Sequence, residues 1–368
     1  QRSLVGSEMC IRDRTMLLLC INHQCLIATK AARIVKAADG RAVMEFGSRR
    51  AQGSDGAIYG ARAAYIGGCA GTACTISDKE MGTPALGTMA HSWVQMFDSE
   101  LDAFRAYAKC YPDACLLLVD TYNVLKSGIP NAIKVFNELR AEGHEPAGIR
   151  IDSGDITYLS RKARKMLDDA GFPNAKICIS NSLDEYIIED ILRQGACIDS
   201  FGVGERLITS RSEPVFGGVY KLTAVEKDGQ IIPKIKLSEN VTKITTPDFK
   251  ELWRFYDKTT GKAIADLITC YGEEVDDTKP YTIFDPEHPY KKKTVTDFTA
   301  KKLLVQIFDK GECVYESPSA TEIRDFCREQ IGTLWSEVTR FENPHEYYVD
   351  LSKKLWDKKN DLLNEMSV

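Results

Sequence analysis

Apolar positions along the chain follow two spacings in turn. From Thr15, the stretch TMLLLCINHQCLIATKAARIVKAADG repeats them at helical intervals and closes on Gly40, which predicts one long helix. AVMEFG, Ala42 to Gly47, then predicts a strand. A second helix is expected from Asp55, read as its N-cap, through AIYGARAAYI to the Gly67-Gly68 stop, and a third from about His91 to Lys109. In the middle of the chain the two spacings alternate strictly. CLLLVD (Cys115 to Asp120) leads to NAIKVFNELRAEG, GIRID (Gly148 to Asp152) to LSRKARKMLDDAG, and KICIS (Lys176 to Ser180) to LDEYIIEDILRQG, before DSFGVG ends at Gly204. Such βαβα order implies parallel strands with right-handed crossovers.

Polar residues fall at the carboxyl ends of these strands: Asp120, Asp152 with Asp155, Ser180 with Asn181, and Gly202 with Gly204. In parallel α/β folds that edge binds ligands. No early strand runs through a G-x-G-x-x-G turn into a helix, which favours an irregular (β/α) barrel over an open doubly wound sheet.

From Val215 the grammar changes to β-rich runs around Asp228-Gly229 and Thr260-Gly261, both hairpin signals, followed by an acidic, Pro-containing connection from Glu273 to Pro289. His345 to Glu365 is expected to be an amphipathic helix. The expected organisation is therefore a barrel over 15–214, a β-rich α/β subdomain over 215–290 and a helical carboxyl-terminal region over 291–368 that packs on the body. Residues 1–14, QRSLVGSEMCIRDR, have no initiator Met, no apolar core and no periodicity, and are expected to be a foreign leader on a truncated chain.

Composition adds exclusions. The chain has 368 residues, 43% of them hydrophobic, enough for one large domain and a smaller one. With 48 Lys+Arg against 53 Asp+Glu and no basic stripe, nucleic acid is not an expected partner. The twelve cysteines lack metal or haem spacing and read as reduced thiols, and no apolar run approaches the roughly 18 residues of a membrane span, so a cytoplasmic protein with no membrane partner is expected.

Four motifs carry candidate chemistry. FGVGER (Phe201 to Arg206) is a glycine-spaced turn that suits either an anion or an ordinary tight βα turn. In GIRIDSGD (Gly148 to Asp155), alternation aims Arg150 and Asp152 to the same side, so they either pair internally or meet a diol or magnesium. GTMAHSW places His91 at a helix start, where anionic groups are favoured. EFGSRRAQGSDG places Arg49 and Arg50 at another strand end, close after Phe46.

In this order and spacing, EFGSRRAQGSDGAIYGARAAYIGG, GTMAHSW, IRIDSGD and FGVGER resemble the nicotinate phosphoribosyltransferase family, and the likeness runs from about Thr15 to the end of the chain. The resemblance implies transfer of a phosphoribosyl group from phosphoribosyl pyrophosphate to nicotinate, with magnesium as cofactor and ATP as co-substrate. It also implies a homodimer with the active site at the interface. It carries over His91 as a transient phosphohistidine and Asp152 as the ribose ligand. Phe46, Arg49, Thr88 and Arg150 become nicotinate contacts. Asp155, Ser180, Asn181, Gly202, Gly204 and Glu205 join Asp152 around phosphoribosyl pyrophosphate, and Asp120 is a magnesium or supporting carboxylate. Two departures stand out. Glu205 occupies a position where many members have Thr, and the amino-terminal tyrosine motif that reaches a partner's nicotinate is missing, which puts the activity of the chain alone in doubt. The competing expectations are a nicotinamide-specific relative and a silent metabolite-binding protein on the same scaffold.

Overall fold

Strands buried on both faces read as continuous apolar runs, and such runs supply the middle strands of the six-stranded first sheet of the computed structural model, which describes residues 15–240 and 243–366. The expected leader, 1–14, lies outside the described residues. The first part of the chain runs α1 (Leu17–Ala37), β1 (Ala42–Glu45), α2 (Ser54–Ile66), β2 (Gly71–Thr72), α3 (Thr75–Met81), α4 (His91–Gln95), α5 (Glu100–Cys110) and β3 (Leu116–Leu118). It continues through α6 (Ile129–Ala141), β4 (Gly148–Ile151), α7 (Ile156–Asp169), β5 (Lys176–Asn181), α8 (Glu185–Arg193), β6 (Ser200–Val203) and α9 (Glu205–Ile208). Val43, Leu117, Ile149, Ile151, Ile177, Ile179, Phe201 and Val203 are buried in its core.

The strand order is β2-β1-β6-β5-β4-β3, all parallel. This is a cyclic permutation of chain order, with the last strand beside the first, as in a barrel, and with no reversal of direction as at the switch point of a doubly wound sheet. The ladder is interrupted between β2 and β3. The outer edge of β2 is taken by the chain's own Pro84–Leu86 segment: Thr72 N donates to Pro84 O at 2.9 Å and Leu86 N to Thr72 O at 2.8 Å. That self-pairing is the physical reason the barrel is irregular.

Two local expectations are corrected. The helix expected from His91 to Lys109 is two, because Ser99 adopts an extended backbone and its hydroxyl accepts Asp102 N at 3.1 Å, capping α5 afresh. Gly53, at φ 90°, rather than Asp55, is the N-cap of α2, and Asp55 sits in the first turn, where its charge meets the helix N-terminus.

The chain divides into two compact units, one running to Gly218 with Pro318–Arg328 added, the other holding Val219–Ser317 and Glu329–Val368. In the later part follow β7 (Ala224–Lys227), β8 (Gln230–Pro233), β9 (Lys250–Asp257), β10 (Ala263–Cys270), β11 (Tyr281–Phe284), β12 (Lys292–Val295) and β13 (Phe298–Lys302). Then come β14 (Phe308–Asp309), β15 (Glu312–Cys313), α10 (Ala320–Thr333), α11 (Ser336–Thr339), β16 (Val349–Leu351) and α12 (Lys353–Met366). Both hairpin signals form: β7 turns into β8 through Asp228 (φ 53°) and Gly229 (φ 74°), and β9 pairs with β10 across Gly261. A four-stranded sheet, β13-β9-β10-β16, packs on Trp253, Phe255, Leu267 and Phe298. The helix expected from His345 to Glu365 is also corrected: Val349–Leu351 pairs with β10, so the helix begins only at Lys353. Among the described residues no helix is long and apolar enough to cross a membrane.

Candidate active site

Asp152 follows β4 directly, and the alternation of the strand brings it beside Arg150. The guanidinium of Arg150 uses all three nitrogens: Nε donates to Ser180 Oγ at 2.8 Å, Nη1 to Thr88 Oγ1 at 2.6 Å, and Nη2 to Asp152 Oδ1 at 3.1 Å. Ser180, buried at the end of β5, also donates to Asp152 Oδ1. The pair is thus internal, as one of the two sequence readings has it, yet only one carboxylate oxygen is consumed. The other, Oδ2, lies 3.7 Å from His91 Nε2.

His91 opens α4 with its ring 40% exposed. Its Nδ1 meets Thr121 Oγ1 at 3.1 Å, which fixes the ring and leaves Nε2 between Asp152 Oδ2 and Asp120 Oδ1, the latter 4.0 Å away. The Asp120 side chain is 1% exposed. Its Oδ2 accepts Asp152 N at 3.2 Å and Ser153 Oγ at 2.6 Å, whereas the buried Oδ1 has no hydrogen-bond partner. A buried carboxylate oxygen without a donor is costly, so this corner suits a cation or a protonated group. Among the described residues no set of three side chains could hold a metal unaided. A magnesium ion here would therefore draw its remaining oxygens from substrate phosphates and water, its usual habit.

The glycines of FGVGER have a different explanation from the one their spacing suggests. Phe46 N donates to Val203 O at 2.8 Å, and a Cβ on Gly202 would lie 2.5 Å from the Phe46 ring. A Cβ on Gly204 would lie 3.2 Å from Phe46 O, and one on Gly47 2.7 Å from Gly204 O. These glycines let the end of β1 lie flat on the end of β6, with the Phe46 ring beneath the Arg150 guanidinium at 5.4 Å. Arg49 and Arg50 lie on the 3-10 turn that follows, exposed, their side chains without a hydrogen bond or ion pair to any described residue.

The cluster therefore joins Phe46, Thr88, His91, Asp120, Arg150, Asp152 and Ser180. Three other candidates have local duties instead. Asp155 caps α7 by accepting Tyr158 N at 2.9 Å, and Asn181 accepts its neighbour Ser182 N at 2.7 Å. Glu205 opens α9, exposed, with Arg211 3.8 Å away. Sequence reasoning missed Thr121 and Ser153, hydroxyls directly following strand-end acids, and Glu45 with Thr72, treated below.

Comparison with known proteins adds an independent line. A family model described as the nicotinate phosphoribosyltransferase (NAPRTase) family matches residues 41–254, and one for the nicotinate phosphoribosyltransferase C-terminal domain matches 249–359. The chain is 44% identical over 352 residues to a nicotinate phosphoribosyltransferase of Bacillus subtilis, covering 96% of this chain and 71% of that protein. The crystal structure of human nicotinic acid phosphoribosyltransferase superposes with a TM-score of 0.80 at 26% identity, over 94% of this chain and 76% of that one. A nicotinate-nucleotide pyrophosphorylase from Pyrococcus furiosus superposes with a TM-score of 0.60 at 25% identity, over 85% of this chain and 71% of that one.

Proposed function

The chain belongs to the nicotinate phosphoribosyltransferase family, and from that premise we propose that the cluster around Arg150, Asp152 and His91 is its reaction centre. The reaction is transfer of the phosphoribosyl group of phosphoribosyl pyrophosphate to nicotinate, giving nicotinate mononucleotide and pyrophosphate on the route from nicotinate to NAD. The observation that supports this location is the divided use of Asp152. One oxygen is locked by Arg150 and Ser180, while the other is presented beside His91.

In this reading Asp152 Oδ2 takes a ribose hydroxyl, and its negative charge, close to the sugar, stabilises positive charge developing at the anomeric carbon. Phe46 stacks on the pyridine ring. Arg150 and Thr88 orient its ring, and the unpaired Arg49 meets its carboxylate; a charged guanidinium gains more from nicotinate than from the neutral amide of nicotinamide. By family resemblance Ser180, Asn181, Gly202, Gly204 and Glu205, with Asp155, line the approach of phosphoribosyl pyrophosphate, Asp155 and Asn181 in addition to the local hydrogen bonds described above. Asp120 and Asp152 are the carboxylates that would hold magnesium, which when bound neutralises pyrophosphate charge. His91, held by Thr121 with Nε2 directed inward, accepts a phosphoryl group from ATP in the coupled form of the reaction. Assembly of two chains with the site at their interface belongs to the same proposal.

The test is nicotinate mononucleotide formation with and without ATP, for the parent chain and His91→Ala. Product whose ATP stimulation disappears in the variant supports the assignment. Product from nicotinamide but not from nicotinate would move the chain to the amide-using reading, and binding of the substrates without turnover would favour a silent binder.

A further inference from the structure

Glu45 is 0% exposed at the end of β1, yet among the described residues no cation pairs with it. Both of its carboxylate oxygens are nonetheless used. Oε1 accepts the backbone N–H of Gly47, and Oε2 accepts the hydroxyl of Thr72 at 2.5 Å. Thr72, also 0% exposed, sits opposite Glu45 in the β1–β2 register, and Ala73 N donates to Glu45 O at 2.9 Å. Thr72 is itself a junction. Its hydroxyl accepts Cys74 N at 2.9 Å, its backbone N–H donates to Pro84 O, and its carbonyl accepts Leu86 N. Leu86 stands two residues before Thr88 and five before His91.

Two segments that share no sequence neighbourhood are thus linked through the Glu45–Thr72 pair, the first by the Glu45 side chain and the second by the Thr72 backbone. One is the loop of Phe46 and Arg49, leaving β1 through Gly47; the other is the strand-like Pro84–Leu86 run that delivers Thr88 and His91. Burying an unpaired carboxylate is expensive, and burial pushes the Glu45 carboxyl above its usual range against the opposing pull of its two donors. An apolar residue would fill the same space without that cost but could not accept both hydrogen bonds.

We propose that Glu45 is a positioning residue that ties the Phe46–Arg49 loop to the Thr88–His91 segment and thereby sets the width of the pocket for the aromatic acid. This rests on the function read above. Gly47 allows the tie to pack closely, since a Cβ there would strike Ile208 and Gly204 O.

The test compares Glu45→Ala, Glu45→Gln and the parent by equilibrium binding of nicotinate and of magnesium phosphoribosyl pyrophosphate, and by amide hydrogen exchange over residues 46–50 and 84–91. Glu45→Ala should weaken nicotinate roughly ten-fold or more, since small misplacements of a binding group carry large penalties. Binding of phosphoribosyl pyrophosphate should stay within about two-fold, and exchange should rise in both segments together. Glu45→Gln should recover most of the affinity, because its carbonyl still accepts Gly47 N–H and its amide can donate to the Thr72 hydroxyl. Unchanged nicotinate binding in Glu45→Ala, or equal loss of both ligands with a general fall in Tm, overturns the proposal. If the parent prefers another base, the functional reading fails instead, and the exchange pattern with that base's affinity still decides the role of Glu45.

Discussion

Two arginine–aspartate pairs, one in each unit, have the same composition and behave differently in space. Arg254 on β9 faces Asp266 on β10 in register, with Nε to Oδ1 at 2.7 Å and Nη2 to Oδ2 at 2.9 Å, and Tyr347 OH donates to Oδ1 at 3.0 Å. Tyr347 also lies against that guanidinium at 5.8 Å, much as Phe46 lies against Arg150. In the β9–β10 pair the fork closes on both oxygens, and the carboxylate holds the guanidinium well above its ordinary range. In the Arg150–Asp152 pair the three guanidinium nitrogens are spread over three different partners, and Asp152 keeps one oxygen directed to His91. The first is a closed structural clamp, and the second leaves one carboxylate oxygen outside the clamp, beside His91.

Breaking each pair should expose that difference. The largest effect is expected for Asp152→Ala, which should lower kcat/KM by about 10²–10³ through lost transition-state electrostatics, with a smaller loss of stability than at the Arg254–Asp266 pair because Arg150 keeps Ser180 and Thr88. Asp266→Ala should do the opposite, destabilising the chain by about 3–5 kcal/mol in urea unfolding because Arg254 is left half-buried and unpaired, while activity per folded molecule is retained. Arg150→Lys, which cannot reach Ser180, Thr88 and Asp152 at once, should raise the KM for nicotinate roughly ten-fold, with a smaller change for phosphoribosyl pyrophosphate.

The smallest effect concerns a buried carboxylate whose neighbour is another carboxylate. Asp350 is 4% exposed, and burial, with Asp285 nearby, pushes its carboxyl up to about 6. The folded chain then holds the proton more tightly than the unfolded chain, whose value is about 3.9. The stabilising contribution is full below about pH 4 and is lost as pH rises through about 6. Tm of Asp350→Asn should therefore gain on the parent between pH 4 and pH 8, by a few degrees, and a constant difference across that range would remove Asp350 from the account.

Much of the site was legible because strand alternation and strand ends are local properties. Arg150, Asp152 and Ser180 could be placed on one rim from spacing alone, whereas the segment before His91, expected to end a strand, forms none. What spacing could not show was occupancy. Whether the Arg150–Asp152 pair was open or closed depends on Thr88, 62 residues away, and on Ser180. The glycine turn at Gly202 and Gly204 read as an anion cradle, but Phe46 from another strand fills much of that space. Glu45 stood in plain alternation with the buried Val43, so its inward direction was available, whereas its donor Thr72 belongs to a two-residue strand too short to carry a pattern. Ser99 was hidden for a related reason: the amphipathic spacing runs on either side of a cap that only backbone geometry reveals.

The central claim is that the open carboxylate of Asp152 and the exposed guanidinium of Arg49 belong to a site for an anionic pyridine. Initial rates of mononucleotide formation from phosphoribosyl pyrophosphate, measured for nicotinate and nicotinamide side by side in the parent and in Arg49→Ala, test it most directly. The account predicts preference for nicotinate in the parent by roughly ten-fold or more, narrowing in the variant as the charge-assisted hydrogen bond is lost. Equal use of both bases by the parent, or a preference that survives unchanged in Arg49→Ala, would contradict it.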